Sequence, residues 1–230
     1  MPETEFMTSS IGKKVIVAIT GLLLIGFIIA HLIGNLALFG GSEMINNYAS
    51  HLDHLEPLLW VARVILLIAV GLHIGTSVIL ARENRAARPV VYKKYQTSKT
   101  TLAARTMMLS GLLILAFLVY HLLHFTFRVT NPDISHFIDS QGRRDVYAMV
   151  VLSFKQKPIA ISYLVAMFFL AAHLSHGFSS VFQTLGFNNE AWQPRLKMLG
   201  HLFAALILLG YMSIPLSVWF GVLRMKGAGL

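Results

Sequence analysis

Four histidines, His31, His73, His121 and His176, stand deep inside long apolar runs of this 230-residue chain and fall into two pairs of matched depth. Ionisable side chains are costly inside a membrane, and where they occur they face the interior of a helix bundle for a functional reason. His31 and His121 lie toward the far end of runs that start on the same side. His73 and His176 lie on runs of the opposite direction, each about nine residues from its end, roughly 13 Å at the helical rise of about 1.5 Å per residue. Two imidazoles from facing helices at one depth can supply both axial ligands to a haem iron packed among apolar side chains. Two such pairs would stack two b-type haems across the bilayer and carry electrons from one face to the other. A zinc or copper site would instead gather three or four ligands in one place. A lone transmembrane histidine is more often a hydrogen-bonded bridge between helices, but four at two matched levels favour ligation.

The elements that must position them follow from composition. With 56% hydrophobic and 13% charged residues the chain is too apolar for an ordinary soluble domain. Its formal charge of +9 sits in short segments between the apolar runs, where it sets orientation and meets anionic lipid, so nucleic acid is not expected as a partner. The absence of cysteine excludes disulfides, thiolate chemistry and iron-sulfur clusters held by this chain itself. Lys13 and Lys14 precede an apolar run that continues from Val15 to about Phe39, longer than the core of a signal peptide and without a small-residue cleavage site, so it reads as the first span. Five stretches reach the length of roughly 20 residues that a spanning helix needs: 12–39, 57–82, 104–128, 158–184 and 197–223. The expected fold is an all-α membrane protein, one domain over residues 1–230 built as a five-transmembrane-helix bundle.

Loop charge sets the expected orientation. Arg82, Arg85, Arg88, Lys93, Lys94 and Lys99 follow the second span against Glu83 alone, whereas Glu43, Asp53 and Glu56 lie after the first with no Lys or Arg. This predicts the N-terminus inside and the C-terminus outside. In the third loop, Asp145 to Phe154 is too short to span and is expected to lie flat at the interface as a cap.

The chain also resembles itself. Thr20-Gly21-Leu22-Leu23-Leu24 aligns with Ser110-Gly111-Leu112-Leu113-Ile114, bringing Phe27 onto Phe117 and His31 onto His121 without a gap. His73-Ile74-Gly75-Thr76-Ser77-Val78 aligns with His176-Gly177-Phe178-Ser179-Ser180-Val181. His124 and His173, each three residues from a proposed ligand, are rivals that this alignment does not repeat, so His121 and His176 are preferred. The rivals are left as partners of a haem propionate or quinone, or as bridges between helices. His201 reads as a surface or interface residue, and His51, His54 and His136 belong to outer loops. The segment His51-Leu52-Asp53-His54-Leu55-Glu56-Pro57 offers acids suited to a helix N-terminus, or acid-base groups for a quinone that exchanges protons, with Asp53 and His54 the leading quinone candidates.

Taken together, Ser9-Ser10-Ile11-Gly12-Lys13-Lys14, Thr20-Gly21-Leu22, His31-Leu32-Ile33-Gly34-Asn35-Leu36, Tyr120-His121-Leu122-Leu123-His124-Phe125-Thr126, and His176-Gly177-Phe178 through Gln183-Thr184-Leu185-Gly186 give the chain a family likeness. From Ser9 to about Phe220 it resembles the single-chain, five-helix, di-haem cytochrome b subunit that anchors succinate dehydrogenase or fumarate reductase. The resemblance implies that His73 and His176 hold the haem nearer the catalytic subunits and His31 and His121 the distal one. It implies a flavoprotein with covalent FAD and an iron-sulfur protein as partners on the cytoplasmic face, with electrons passing through the clusters and haems to a quinone, often menaquinone. Asp53 falls about where relatives carry an acid at the distal quinone site. Leu174 stands where some fumarate reductases of this type have a glutamate associated with transmembrane proton movement, so that route is not expected here. The implied place is the bacterial cytoplasmic membrane, crossed several times, with association of the complex into a higher oligomer left open. Rival readings are a haem b subunit of another membrane oxidoreductase, such as a hydrogenase or formate dehydrogenase, a transporter that uses its histidines for protons or cations, and an anchor without cofactor.

Overall fold

The computed structural model describes residues 9–87, 106–187 and 189–225. The first helix, α1 (Ser10–Leu36), starts where the Ser9 hydroxyl accepts the Gly12 N–H at 3.0 Å, a side-chain cap on an otherwise unpaired donor. A short 3-10 turn (Ala37–Gly40) follows, and Gly41, at φ 89°, reverses the chain into α2 (Ser42–His54). Pro57 occupies the first turn of α3 (Glu56–Ala86), where its missing N–H costs nothing. Beyond the second loop come α4 (Met107–His121), a π-helical turn (Leu122–Thr126), the single turn α5 (Pro132–Ser135) and α6 (Val146–Lys155). The last two are α7 (Lys157–Thr184) and α8 (Gln193–Trp219).

Five of these helices are long and apolar enough to cross a membrane, each close to its expected span. The chain is an all-α membrane bundle. Arg82 and Arg85 lie at the end of α3, but Arg88, Lys93, Lys94 and Lys99 lie outside the described residues. The lipid-facing surface is broad: α3 buries Ala69 and Thr76 while exposing Leu58, Val64, Leu67 and Leu72. A soluble protein would hide such a surface, and hydrocarbon accommodates it.

Packing divides the spans into two pairs, α1 with α3 and α4 with α7, with α7 also touching α1 and α8 laid along α7. Gly200 makes that last approach close, because a Cβ there would stand 2.9 Å from the Ser175 carbonyl oxygen. An ion pair between Lys13 and Glu83 ties α1 to α3 at the end where the chain enters.

At the other end α2 and α6 form a cap. The segment expected to lie flat is buried instead: Tyr147, Ala148, Met149, Val150, Val151, Ser153 and Phe154 are all hidden. The reason is legible in α6 itself, whose only strongly polar residues are Ser153 and, at its last position, Lys155, so that it has no continuous polar face to leave among head groups. It joins Leu38, Ile45, Tyr163, Ile214 and Val218 in one core. Consecutive arginines clamp α2 from above. Arg143 pairs with Glu43 at 2.9 Å and Asp139 at 2.7 Å, and Arg144 grips both oxygens of Asp53 at 2.6 and 2.8 Å. Beneath them the buried Asn46 amide reaches Asp139 and Asp145 and accepts the Tyr147 N–H at 3.1 Å.

Candidate functional site

The histidines do gather at two levels of the bundle. Near the middle of α1, Thr20 donates its hydroxyl proton back to the Ile16 carbonyl at 2.7 Å, which leaves its oxygen free to accept. The His73 Nδ1 of α3 lies 3.2 Å from that oxygen and 3.2 Å from the Val17 carbonyl. A carbonyl can only accept, so the proton of the neutral ring sits on Nδ1 and Nε2 is left bare. Bare Nε2 is the state a metal requires, with the second nitrogen fixed by an outer partner.

The same arrangement recurs in the other helix pair. Ser110 of α4 donates to the Met107 carbonyl at 3.0 Å, and His173 Nδ1 of α7 stands 3.2 Å from the Ser110 oxygen, with the Met107 carbonyl beside it. Each ring also lies against a glycine, its Cε1 3.4 Å (Gly21) and 3.5 Å (Gly111) from where a Cβ would project. Val17, Thr20 and Gly21 are thus matched residue by residue by Met107, Ser110 and Gly111, as the α1–α4 alignment requires. The structural counterpart of His73 in this repeat is His173.

The His73 and His173 ring centres are 6.5 Å apart. His176, the residue preferred from sequence, lies one turn further along α7 and pairs through Nε2 with Ser180 of its own helix at 3.2 Å. His73 is brought into ring contact with His173.

The second level lies toward the cap. From Thr20 to His31, as from Ser110 to His121, the helix climbs about 16 Å at about 1.5 Å per residue. Here the expected partners do meet, with the His31 and His121 ring centres 5.8 Å apart and nearly perpendicular at 89°. Phe27 stacks on His31 at 5.3 Å, Phe117 flanks His121 at 5.8 Å and Tyr211 of α8 stands 6.3 Å from His31. His121 Nδ1 faces the Tyr163 hydroxyl at 3.4 Å. Paired imidazoles at both levels, walled by aromatic rings at the level nearer the cap, are a donor set that would suit haem iron. No family model, curated protein or solved structure compared with the chain matches it.

The quinone candidates separate. Asp53 lines a cleft of about 250 Å³ at the cap end together with Glu56, Leu59 and Arg63, whereas His54 is not part of its wall. Sequence reasoning passed over Arg63, although a cation inside a predicted span is itself a signal. Its guanidinium lies 5.0 Å from the Trp60 ring centre, which lessens the cost of holding charge there. Tyr163, Thr20 and Ser110 were missed for a different reason: their roles depend on which helix each one faces.

Two cap carboxylates are perturbed. Desolvation alone would raise Asp139, but hydrogen bonds from Arg143, Gln141 and Asn46 outweigh it and hold the carboxyl down to about 2. Hydrogen bonding from Arg143 likewise keeps Glu43 below the ordinary carboxylate range, against an opposing effect of desolvation.

Proposed function

We propose that the chain is a membrane-embedded electron carrier with two bis-histidine haem b sites, the cytochrome b anchor subunit of succinate dehydrogenase or, working in reverse, of fumarate reductase. The observation that supports this most is the pairing of histidines at two levels, with Nδ1 of both His73 and His173 tied to an acceptor. Haem b, when bound, supplies a reversible one-electron change at iron. The chain supplies everything else. His31 and His121 would hold the haem nearer the cap, and His73 and His173 the other, so that His173 takes the role the resemblance gives to His176. Thr20 and Ser110 set the ring tautomer, the aromatic residues around His31 and His121 exclude water, and burial together with hydrogen bonding sets the potential.

In this reading the N-terminal end of the bundle faces the cytoplasm and receives electrons from an iron-sulfur subunit, which takes them from the FAD of a flavoprotein subunit. The cleft walled by Asp53, Glu56 and Arg63 is the leading place for a quinone head group, menaquinone by resemblance. Arg144, which holds Asp53 bidentately, would fix that carboxylate's position rather than leave it to the loop.

Purification of the complex from its native membrane tests the proposal. Copurification of a subunit with covalent flavin, and reduction of the haems by succinate, is the expected result. A nickel or molybdenum subunit would move the chain to another oxidoreductase, and absence of haem would return it to the transporter or inert-anchor readings.

A further inference from the structure

The outer pair is joined to something the inner pair lacks. His124 is fully buried, with Nδ1 2.9 Å from the Tyr163 hydroxyl and Nε2 3.1 Å from the Ser153 hydroxyl of α6; Asn131 Nδ2 lies 3.5 Å from the same Nε2. Tyr163 is 7% exposed and Ser153 is fully buried. The Tyr163 oxygen therefore stands between two imidazoles, His124 at 2.9 Å and His121 at 3.4 Å. The π-helical turn Leu122–Thr126 contains His124, and such turns recur where a helix must present a side chain at a functional site.

With His121 ligating through Nε2, one proton arrangement runs outward from it along the whole series. His121 Nδ1–H donates to the Tyr163 oxygen, the Tyr163 O–H donates to His124 Nδ1, and His124 Nε2–H donates to Ser153. Every donor in the series points away from His121, so each link polarises the one before it.

We infer that Tyr163 and His124 are positioning residues for the outer haem: they fix the tautomer and orientation of His121 and strengthen its donation to iron, and Ser153 couples that ligand to the cap helix. This rests on the haem reading above. It assigns a function to His124 without making it a ligand, and it makes the two haems unequal. A hydrogen bond that pulls on Nδ1–H raises the basicity of the ligand and favours the oxidised iron, so it lowers the midpoint of that haem alone.

The test is a potentiometric titration of the purified membrane complex, followed optically, comparing the unaltered chain with Tyr163→Phe and Ser153→Ala; the outer haem is the one that His31→Ala removes. Tyr163→Phe keeps the ring packing and is expected to raise the outer midpoint, or release the outer haem, while leaving the inner one unmoved. Ser153→Ala is expected to move the outer midpoint in the same direction by less, and it decides the matter if Tyr163→Phe fails to accumulate. Both haems retained at unaltered midpoints in these variants, or an equal shift of both, would overturn the inference while leaving the ligand assignment standing. Absence of haem from the unaltered chain would defeat the parent reading instead.

Discussion

The two histidine pairs are held by different means. The pair near the N-terminal end is built twice from the same parts: a hydroxyl that has already spent its proton on its own helix, a carbonyl beside it and a glycine under the ring. Everything that orients His73 and His173 lies within the two helix pairs. The pair toward the cap repeats its flanking phenylalanines, Phe27 and Phe117, but not its other neighbours. His121 leans on Tyr163 of α7 and, through it, on His124 and the cap helix, whereas His31 is bounded by Phe27 and Tyr211. A duplicated framework thus supplies two equivalent positions at one level, and residues outside the repeat differentiate the other. If the two pairs hold haems as proposed, this difference is where unequal potentials would arise.

The comparison breaks most sharply at the ligands. His73→Ala and His173→Ala are each expected to abolish the inner haem, one equivalent per chain, while His176→Ala leaves both bound; haem per chain by reduced optical spectrum reads this directly. The repeat is tested by Thr20→Val and Ser110→Ala, which remove one of the two acceptors beside each Nδ1 and leave the Val17 or Met107 carbonyl. Each is expected to weaken inner haem retention by about 10- to 100-fold, and by similar amounts in the two variants, without touching the outer haem. A large effect of one and none of the other would show that the symmetry is only geometric. Smaller still is the expected effect of Arg143→Ala, which unfastens α2 from the third loop: faster amide hydrogen exchange across Ser42–His54, with haem content unchanged.

Acid should loosen the same clamp. Asp139 has its pKa depressed from 3.8 to about 2, so the stabilisation its charge provides is complete above the unfolded value and disappears as pH falls through the folded one. Hydrogen exchange in the cap is therefore expected to rise between about pH 4 and about pH 2, with the bundle below unaffected; a rise confined to higher pH would assign the effect to another group.

The spans were legible in the sequence because hydrocarbon thickness dictates length and leaves the backbone only one way to pair its polar groups. The cap was less so. Asp145 to Phe154 was correctly seen as too short to span, but a mostly apolar helix of that length fits a buried position as well as an interfacial one, and only its neighbours decide. The inner ligand shows the same limit more clearly. His173 and His176 differ by three residues, nearly one turn of about 3.6, so both lie on about the same face of α7 and no periodicity separates them. Aligning His73 with His176 matched Thr76 with Ser179, Ser77 with Ser180 and Val78 with Val181, and so favoured His176. What distinguishes His173 is Ser110 on a neighbouring helix, and that contact is three-dimensional. The clue was present nonetheless, since Thr20 and Ser110 already stood opposite each other in the α1–α4 alignment as hydroxyls in otherwise apolar runs.

The central claim is that His173, rather than His176, completes the inner pair of two haem sites. The most direct measurement is the haem-to-chain ratio of the purified complex in three forms: unaltered, His173→Ala and His176→Ala. Two, one and two haems per chain are expected. Two haems retained in His173→Ala with one lost in His176→Ala would contradict that claim and move the ligand by a turn of α7.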